Sequence, residues 1–299
     1  MNSKRIVALL GTLIYLVTPL SATAATITFT CSSGYWDNEN CWDPAQVPAD
    51  GDHVVIPANK VCTVNISTAI CDSFDVDGTL NIANGAVLTI DSDSTVDGGG
   101  VRLLGATSKL KLLWNPSPPP PDPTRDVYIT STSGNGKIDC DDGSIQITSE
   151  LQLRLISRVE ITGTVDIYGL GGTFVNEGKV VVPDDGDVIT VDTEWGFTDT
   201  PGDRWTVTGP NCSLIFRASV GQIDSVSGFG NYQLIDNVNG SSFIRFEVAA
   251  DTGGRLEMEG GYLDIRQNVF MGDDYMSNRH MQATGGKIVV DPGKQFKHR

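Results

Sequence analysis

Apolar and polar residues alternate in short runs along most of the chain, and glycines open the runs. The clearest case is Asp77 to Ile90, DGTLNIANGAVLTI, where two strand-like runs follow glycines seven residues apart. The doublet returns as Gly136–Cys140 with Gly143–Ile147, and again as Gly254–Met258 with Gly261–Ile265. Single Gly-x-apolar-x-apolar units begin at Gly99, Gly163, Gly178 and Gly286. Alternation with period two marks a strand with one buried face, and a glycine before it supplies a turn of positive φ. The pattern puts Leu80, Ile82, Ile145, Ile147, Val165, Ile167, Leu256, Met258, Leu263 and Ile265 inside. Repetition along the whole chain predicts an all-β stack, a solenoid whose units bury their faces against their neighbours. No helix of ordinary length is evident. The rival arrangement is a pair of antiparallel sandwiches.

The rhythm is broken once. Trp114 to Pro123 reads WNPSPPPPDP, a run that favours extended polyproline conformation and cannot join a ladder. Residues 115–124 therefore form either a loop leaving one solenoid or a linker between two domains. Strand patterns resume at Val127–Ile129, and a single domain over 25–299 is expected. Further on, Pro183-Asp184-Asp185-Gly186-Asp187 echoes Pro48-Ala49-Asp50-Gly51-Asp52, and Trp195 and Trp205 follow it. Met271 to Met281 is read as a long loop before Lys287–Val290.

Composition then narrows the compartment. Lys4 and Arg5, an apolar run from Ile6 to Leu20 and Ala22-Thr23-Ala24 read as a secretory signal over residues 1–24. The apolar run is short for a membrane span of about 20 residues, so no span is expected and the chain is read as secreted or held at the cell surface. The sequence holds 21 Lys and Arg against 37 Asp and Glu. Without the leader 19 basic residues remain, a net charge of −18. Such acidity disfavours nucleic acid and anionic membranes as partners. Six cysteines in an exported chain imply disulfides. Nearness in sequence pairs Cys31 with Cys41 and Cys62 with Cys71, leaving Cys140 and Cys212 as buried thiols or a third bridge.

Trp36 and Trp42 flank a polar turn beside Cys31 and Cys41 and are read as a plug over the open end of the stack. The other reading makes them stacking platforms for a sugar ring. The order Trp36, Trp42, Val47-Pro48, Gly51-Asp52, Val55-Ile56, Val61, Val64 and Gly78-Thr79-Leu80 resembles the start of secreted and surface β-helix proteins of the bacterial adhesin-like kind. It is also similar to the eight-glycine extracellular domain of some animal cell-surface proteins. The likeness covers Tyr35 to Ile90. It implies a right-handed parallel β-helix with an N-terminal cap, an extracellular setting, and ligand binding or adhesion more than catalysis. It brings no catalytic residue.

Acidic clusters are the remaining chemistry. Asp139, Asp141 and Asp142 stand together, with Asp139 and Asp141 two apart and hence on one strand face. Polygalacturonases of β-helical fold also cluster aspartates, but add a Gly-His-Gly and an Arg-x-Lys that this chain lacks. His53 and His280 stand apart from any such motif. The three aspartates offer hard oxygens for calcium without fitting an EF-hand loop, since the glycine falls early and no helices flank it. Calcium at Asp139, Asp141 and Asp142 is thus the only cofactor the sequence suggests, and turn chemistry explains the same residues. Asn65, Asn211 and Asn239 begin glycosylation acceptor triplets. The expected function is a non-enzymatic extracellular protein that binds glycan or a surface protein, or serves a structural or adhesive role. The alternative is a polysaccharide hydrolase or lyase with a groove along one wall.

Overall fold

The computed structural model describes residues 24–114, 124–183 and 186–194, and beyond Glu194 the backbone of the strands alone. The expected leader up to Thr23, the run 115–123, Cys212, His280's side chain, Trp195, Trp205 and the inward positions Leu256, Met258, Leu263 and Ile265 lie outside the described side chains. Among the described residues no helix is long and apolar enough to cross a membrane.

Strands come in groups of three. β1 (Thr26–Phe29) and β2 (Ser33–Tyr35) lead through a 3-10 turn, Glu39–Cys41, to the short β3 (Trp42–Asp43). Next come β4 (His53–Ile56), β5 (Val61–Val64) and β6 (Ala69–Ile70), then β7 (Ser73–Val76), β8 (Thr79–Ile82) and β9 (Val87–Ile90). β10 (Ser94–Val96), β11 (Gly100–Leu104) and β12 (Lys109–Trp114) precede the proline run, and β13 (Thr124–Thr130) follows it. β14 (Lys137–Ser157) and β15 (Glu160–Asn176) are long and contribute to several ladders each; β16 (Lys179–Val182) and β17 (Val188–Thr193) complete the described side chains.

Up to β12 the parallel pairing skips sequence neighbours; the long β14 and β15 then pair with each other and with β13 and β16. One ladder runs β1, β4, β7, β10, β13, then the ends of β14 and β15. A second runs β2, β5, β8, β11, then the starts of β14 and β15, and β16. The third runs β6, β9, β12, the middles of β14 and β15, and β17. Strands from Arg204–Val207 to Lys287–Val290 extend the second and third ladders in the same sense. Every pairing is parallel except β1 with β3, so the antiparallel sandwiches are excluded. The strands on both sides of residues 115–123 belong to the same ladders.

Parallel register stacks like on like. Leu80 lies between Cys62 and Val101 in the second ladder, and Leu110 between Leu88 and Ile145 in the third. Leu80, Ile82, Ile145, Ile147 and Ile167 are fully buried and Val165 nearly so, as alternation requires. Each such side chain contributes about 1.5–3 kcal/mol on leaving water. Where the stack is too tight for a side chain, glycine is used. Gly163 sits opposite Cys140 with φ +92°, and a Cβ there would lie 2.1 Å from the Cys140 carbonyl oxygen.

The first strands are closed off by the tryptophan segment. β3 lies along the outer edge of β1, with Phe29 opposite Trp42. Trp36 and Trp42 are buried, meet edge to face at 5.3 Å, and the Trp42 indole N–H donates to the Trp36 carbonyl at 2.8 Å. Buried rings are no platform for a sugar. The Cys31–Cys41 bridge holds this segment down, and Asp52 accepts from the amides of Ala25 and Ala49, closing the turn before β4.

The expected Cys62–Cys71 bridge is corrected: both are buried free thiols, as is Cys140. Cys62 points inward from β5 opposite Leu80, in the second ladder. Cys71 follows β6, its amide bound to the Thr89 carbonyl of the third ladder. Nine positions of chain turn a corner between them, so sequence nearness does not bring the sulfurs together. Burial pushes both thiols well above the ordinary range, which leaves almost no thiolate to react.

Two outcomes follow. Peptide mapping without reduction should show Cys31 joined to Cys41, with Cys62 and Cys71 alkylated only after denaturation; a Cys62–Cys71 peptide would contradict the structure. Gly163→Ala should cost about 2–4 kcal/mol, because it adds backbone overlap to a left-handed conformation. Gly51→Ala, at φ +84° but with open space around the added carbon, should cost only about 1 kcal/mol. Urea unfolding of the two variants compares the effects.

Candidate functional site

The outward side chains of the third ladder form a flat wall. Successive layers present Val87 and Thr89, then Lys109, Lys111 and Leu113, then Ser144, Gln146 and Thr148, then Asp166, Tyr168 and Leu170. Register puts Lys111, Gln146 and Tyr168 in one file, with Asp192 below them. Leu113, Thr148 and Leu170 form the file beside it. Leu170 is 74 % exposed, and Leu170 and Tyr35 are the two exposed large apolar side chains among the described residues.

The Lys109 ammonium crosses the small Ser144 to reach the next layer but one. It donates to the Tyr168 hydroxyl at 2.6 Å and lies 5.3 Å from the ring centroid. The contact orders both side chains and leaves the phenolic proton free to donate outward. Lys111 has no hydrogen bond or ion pair among the described residues. Elsewhere, Arg102, Arg154 and Arg158 are matched to Asp139, Asp126 and Glu177, and Lys137 to Glu160.

The first ladder carries a second polar cluster. His53 Nδ1 is 2.9 Å from the Ser73 hydroxyl and Nε2 is 3.1 Å from Asp75 Oδ2. Thr95 donates to the other Asp75 oxygen. Serine, histidine and aspartate are thus in contact, as in a hydrolase triad, but the serine is not poised as a nucleophile. Ser73 is only 6 % exposed, and its hydroxyl also donates to Asp72 at 3.1 Å. The cluster ties three successive layers together instead. Ser92 donates to Asp72 at 2.9 Å and Asp91 at 3.1 Å, and Arg125 donates to Ser92.

The aspartates singled out by sequence are less concentrated. Asp139 faces outward from β14 and pairs with Arg102 at 3.3 Å. Asp141 is exposed at the end of that segment, and Asp142 is a left-handed residue at φ 63° where the register shifts. Among the described residues no group of three or more His, Cys, Asp and Glu is placed to hold a metal ion. Asn65 lies exposed, its amide donating to Asp37 at 3.0 Å.

Sequence reasoning missed Lys109, Lys111, Gln146, Tyr168, Leu170 and the Asp72–Asp91 pair. A signal for the last existed. Asp52, Asp72 and Asp91 recur just before β4, β7 and β10, 20 and 19 residues apart.

Ser92 joins the Asp72 and Asp91 carboxyls of two layers, and each biases the protonation of the other. Burial, the hydrogen bond to Asp72 and the charge of Asp72 push the Asp91 carboxyl up to about 6. Burial works against charge on Asp72 too, yet hydrogen bonds from Asp91, Ser92 and Ser73, with Arg125 nearby, hold it below the usual range. An acid whose folded value is raised favours folding in its protonated form, so the Asp91 contribution is full below about pH 4 and lost between about pH 4 and 6. Asp91→Asn keeps a donor to Asp72 at every pH. After allowance for solvent screening, the variant should be about 1 kcal/mol more stable than the parent above pH 6 and no more stable below pH 4. Urea midpoints measured from pH 3.5 to 8 check this; parallel curves for the two proteins would refute the raised Asp91 carboxyl.

Comparison with known proteins places a family on one part of the chain. The model of the G8 domain family matches residues 41–109, from the cap through the start of β12. No curated protein and no solved structure matches. The matched segment is under a quarter of the chain. It contains the cap turn and β4 to β11, and ends at Lys109 on the candidate wall.

Proposed function

We propose that this is a secreted or cell-surface protein whose chain forms one right-handed parallel β-helix with an N-terminal cap, and that it is a binding protein, not an enzyme. Its partner is an extracellular glycan or surface protein, held on the outer wall of the third ladder. The observation that carries this reading is the wall around Tyr168 and Leu170, where ordered polar groups and the most exposed apolar side chain share one flat face. The Cys31–Cys41 bridge, the G8 match and the leader pattern support an extracellular setting. Three parallel ladders, which join β1 to β4, β7 and β10 and β2 to β5, β8 and β11, support the helical stack. Its inner files are apolar and its backbone groups are paired along the ladders, so the stack needs no cofactor to hold it.

Catalysis of the hydrolase or lyase kind needs an acid and a base converging on one bond. The described walls present side chains in parallel files, and the Ser73 hydroxyl is covered. The test is retention on immobilised polysaccharides and extracellular matrix proteins, run beside reducing-sugar and unsaturated-product assays. Retention without turnover is expected, with Leu170→Asp weakening it about tenfold at unchanged melting temperature. Turnover that survives purification, or retention indifferent to Leu170→Asp, would count against the reading.

A further inference from the structure

The wall of the third ladder has an unbalanced chemistry. Lys109 spends one of its three N–H donors on Tyr168, which passes a hydroxyl donor outward. Lys111, on the same face of β12 and about 6.6 Å along the strand, has all three donors and its full charge uncompensated among the described residues. The Gln146 amide lies in the layer between Lys111 and Tyr168. These four side chains offer a surplus of donors, in a chain that is otherwise strongly acidic. Asp166 and Asp192 stand below Ser144 and Tyr168, so the positive potential is confined to the layers of β12 and the middle of β14.

We infer that Lys109, Lys111, Gln146 and Tyr168 form a binding site for an anionic polysaccharide, with a carboxylate of the polymer seated between the two ammonium groups. This rests on the binding reading above and names the ligand class for the same wall. Two lysines without an acidic partner among the described residues, on an acidic protein, are complementary to an anion, and Asp166 beneath them disfavours its reaching the lower layers. The neighbouring groups favour a sugar over an acidic peptide. The wall offers an amide and a phenol to ligand hydroxyls, with Leu113 and Leu170 alongside. A bound chain crosses the files near β12 instead of running down them past Asp166 and Asp192.

Affinity electrophoresis and calorimetry with sodium polygalacturonate, its methyl-esterified form, dextran and poly-glutamate test the site. Polygalacturonate should bind, esterification should remove most of the affinity, and raising salt from about 50 to 300 mM should weaken it. Lys109→Gln with Lys111→Gln should weaken binding by about tenfold or more. Lys179→Gln removes an exposed lysine from the second ladder that has no partner among the described residues, and should change nothing. Lys111→Gln alone breaks no hydrogen bond or ion pair among the described residues, and an unchanged melting temperature measured beside the binding separates a lost ligand contact from misfolding.

Equal binding of dextran, or of the esterified polymer, would overturn the anionic site while leaving a glycan-binding wall. Equal loss on Lys179→Gln would reduce the effect to net charge and overturn the site. Poly-glutamate bound as tightly as polygalacturonate would overturn the choice of a sugar. Absence of binding to every polymer would overturn the inference; whether the wider reading falls with it is decided by the matrix-protein panel.

Discussion

The structure depends on parallel register between strands one layer apart. With strands about 4.8 Å apart and side chains alternating in and out, each inward side chain rests on the one in the layer before. Val64, Ile82 and Leu103 make one such file, and Leu88, Leu110 and Ile145 another. A slip of one residue in a single strand would turn its apolar set to water and its polar set into the core. The penalty falls on both neighbouring layers, so register is enforced along the chain by contacts that are individually ordinary.

The same constraint explains where small and polar residues stand. Layer spacing leaves no room for a side chain at the tightest corners, hence glycine opposite the Cys140 carbonyl. Corners also expose backbone that the ladders do not use, and aspartates bind it. Asp52 holds the turn before β4, while Asp97 accepts from Ser131, Thr132 and the Ser133 amide in the next layer and is held well below the ordinary carboxylate range. Part of the acidity of the composition is therefore used within the fold.

Inward positions were legible because their signal is local. Leu80 and Ile82, or Ile145 and Ile147, declare their face within five residues of sequence, and the structure buries each of them. The plug of Trp36 and Trp42 was legible for a related reason, since both rings lie within a few residues of the bridge that fixes them. Contacts between layers were not. Lys109 meets Tyr168 across 59 positions, and the lengths of the intervening corners do not follow from any periodicity. The same ignorance of corners made Cys62 and Cys71 seem partners. Asp139, Asp141 and Asp142 drew attention as a run of like residues; Asp139 and Asp141 do share an outward face, but Asp139 is taken up by Arg102 and Asp142 stands in a left-handed corner.

A wall of this kind has a geometry of its own. Inward side chains are committed to the core, so chemistry is left to outward ones, and these leave the sheet roughly parallel to one another. Parallel side chains at lattice-like spacings rarely converge on one atom, as acid–base catalysis requires. They do contact an extended partner at many points, each weak, and affinity then grows with the number of points engaged. The exception on this wall is Lys109, which crosses a layer because Ser144 leaves it room. Register already places Tyr168 in the file of Lys111, and the crossing adds the Lys109 ammonium to that file.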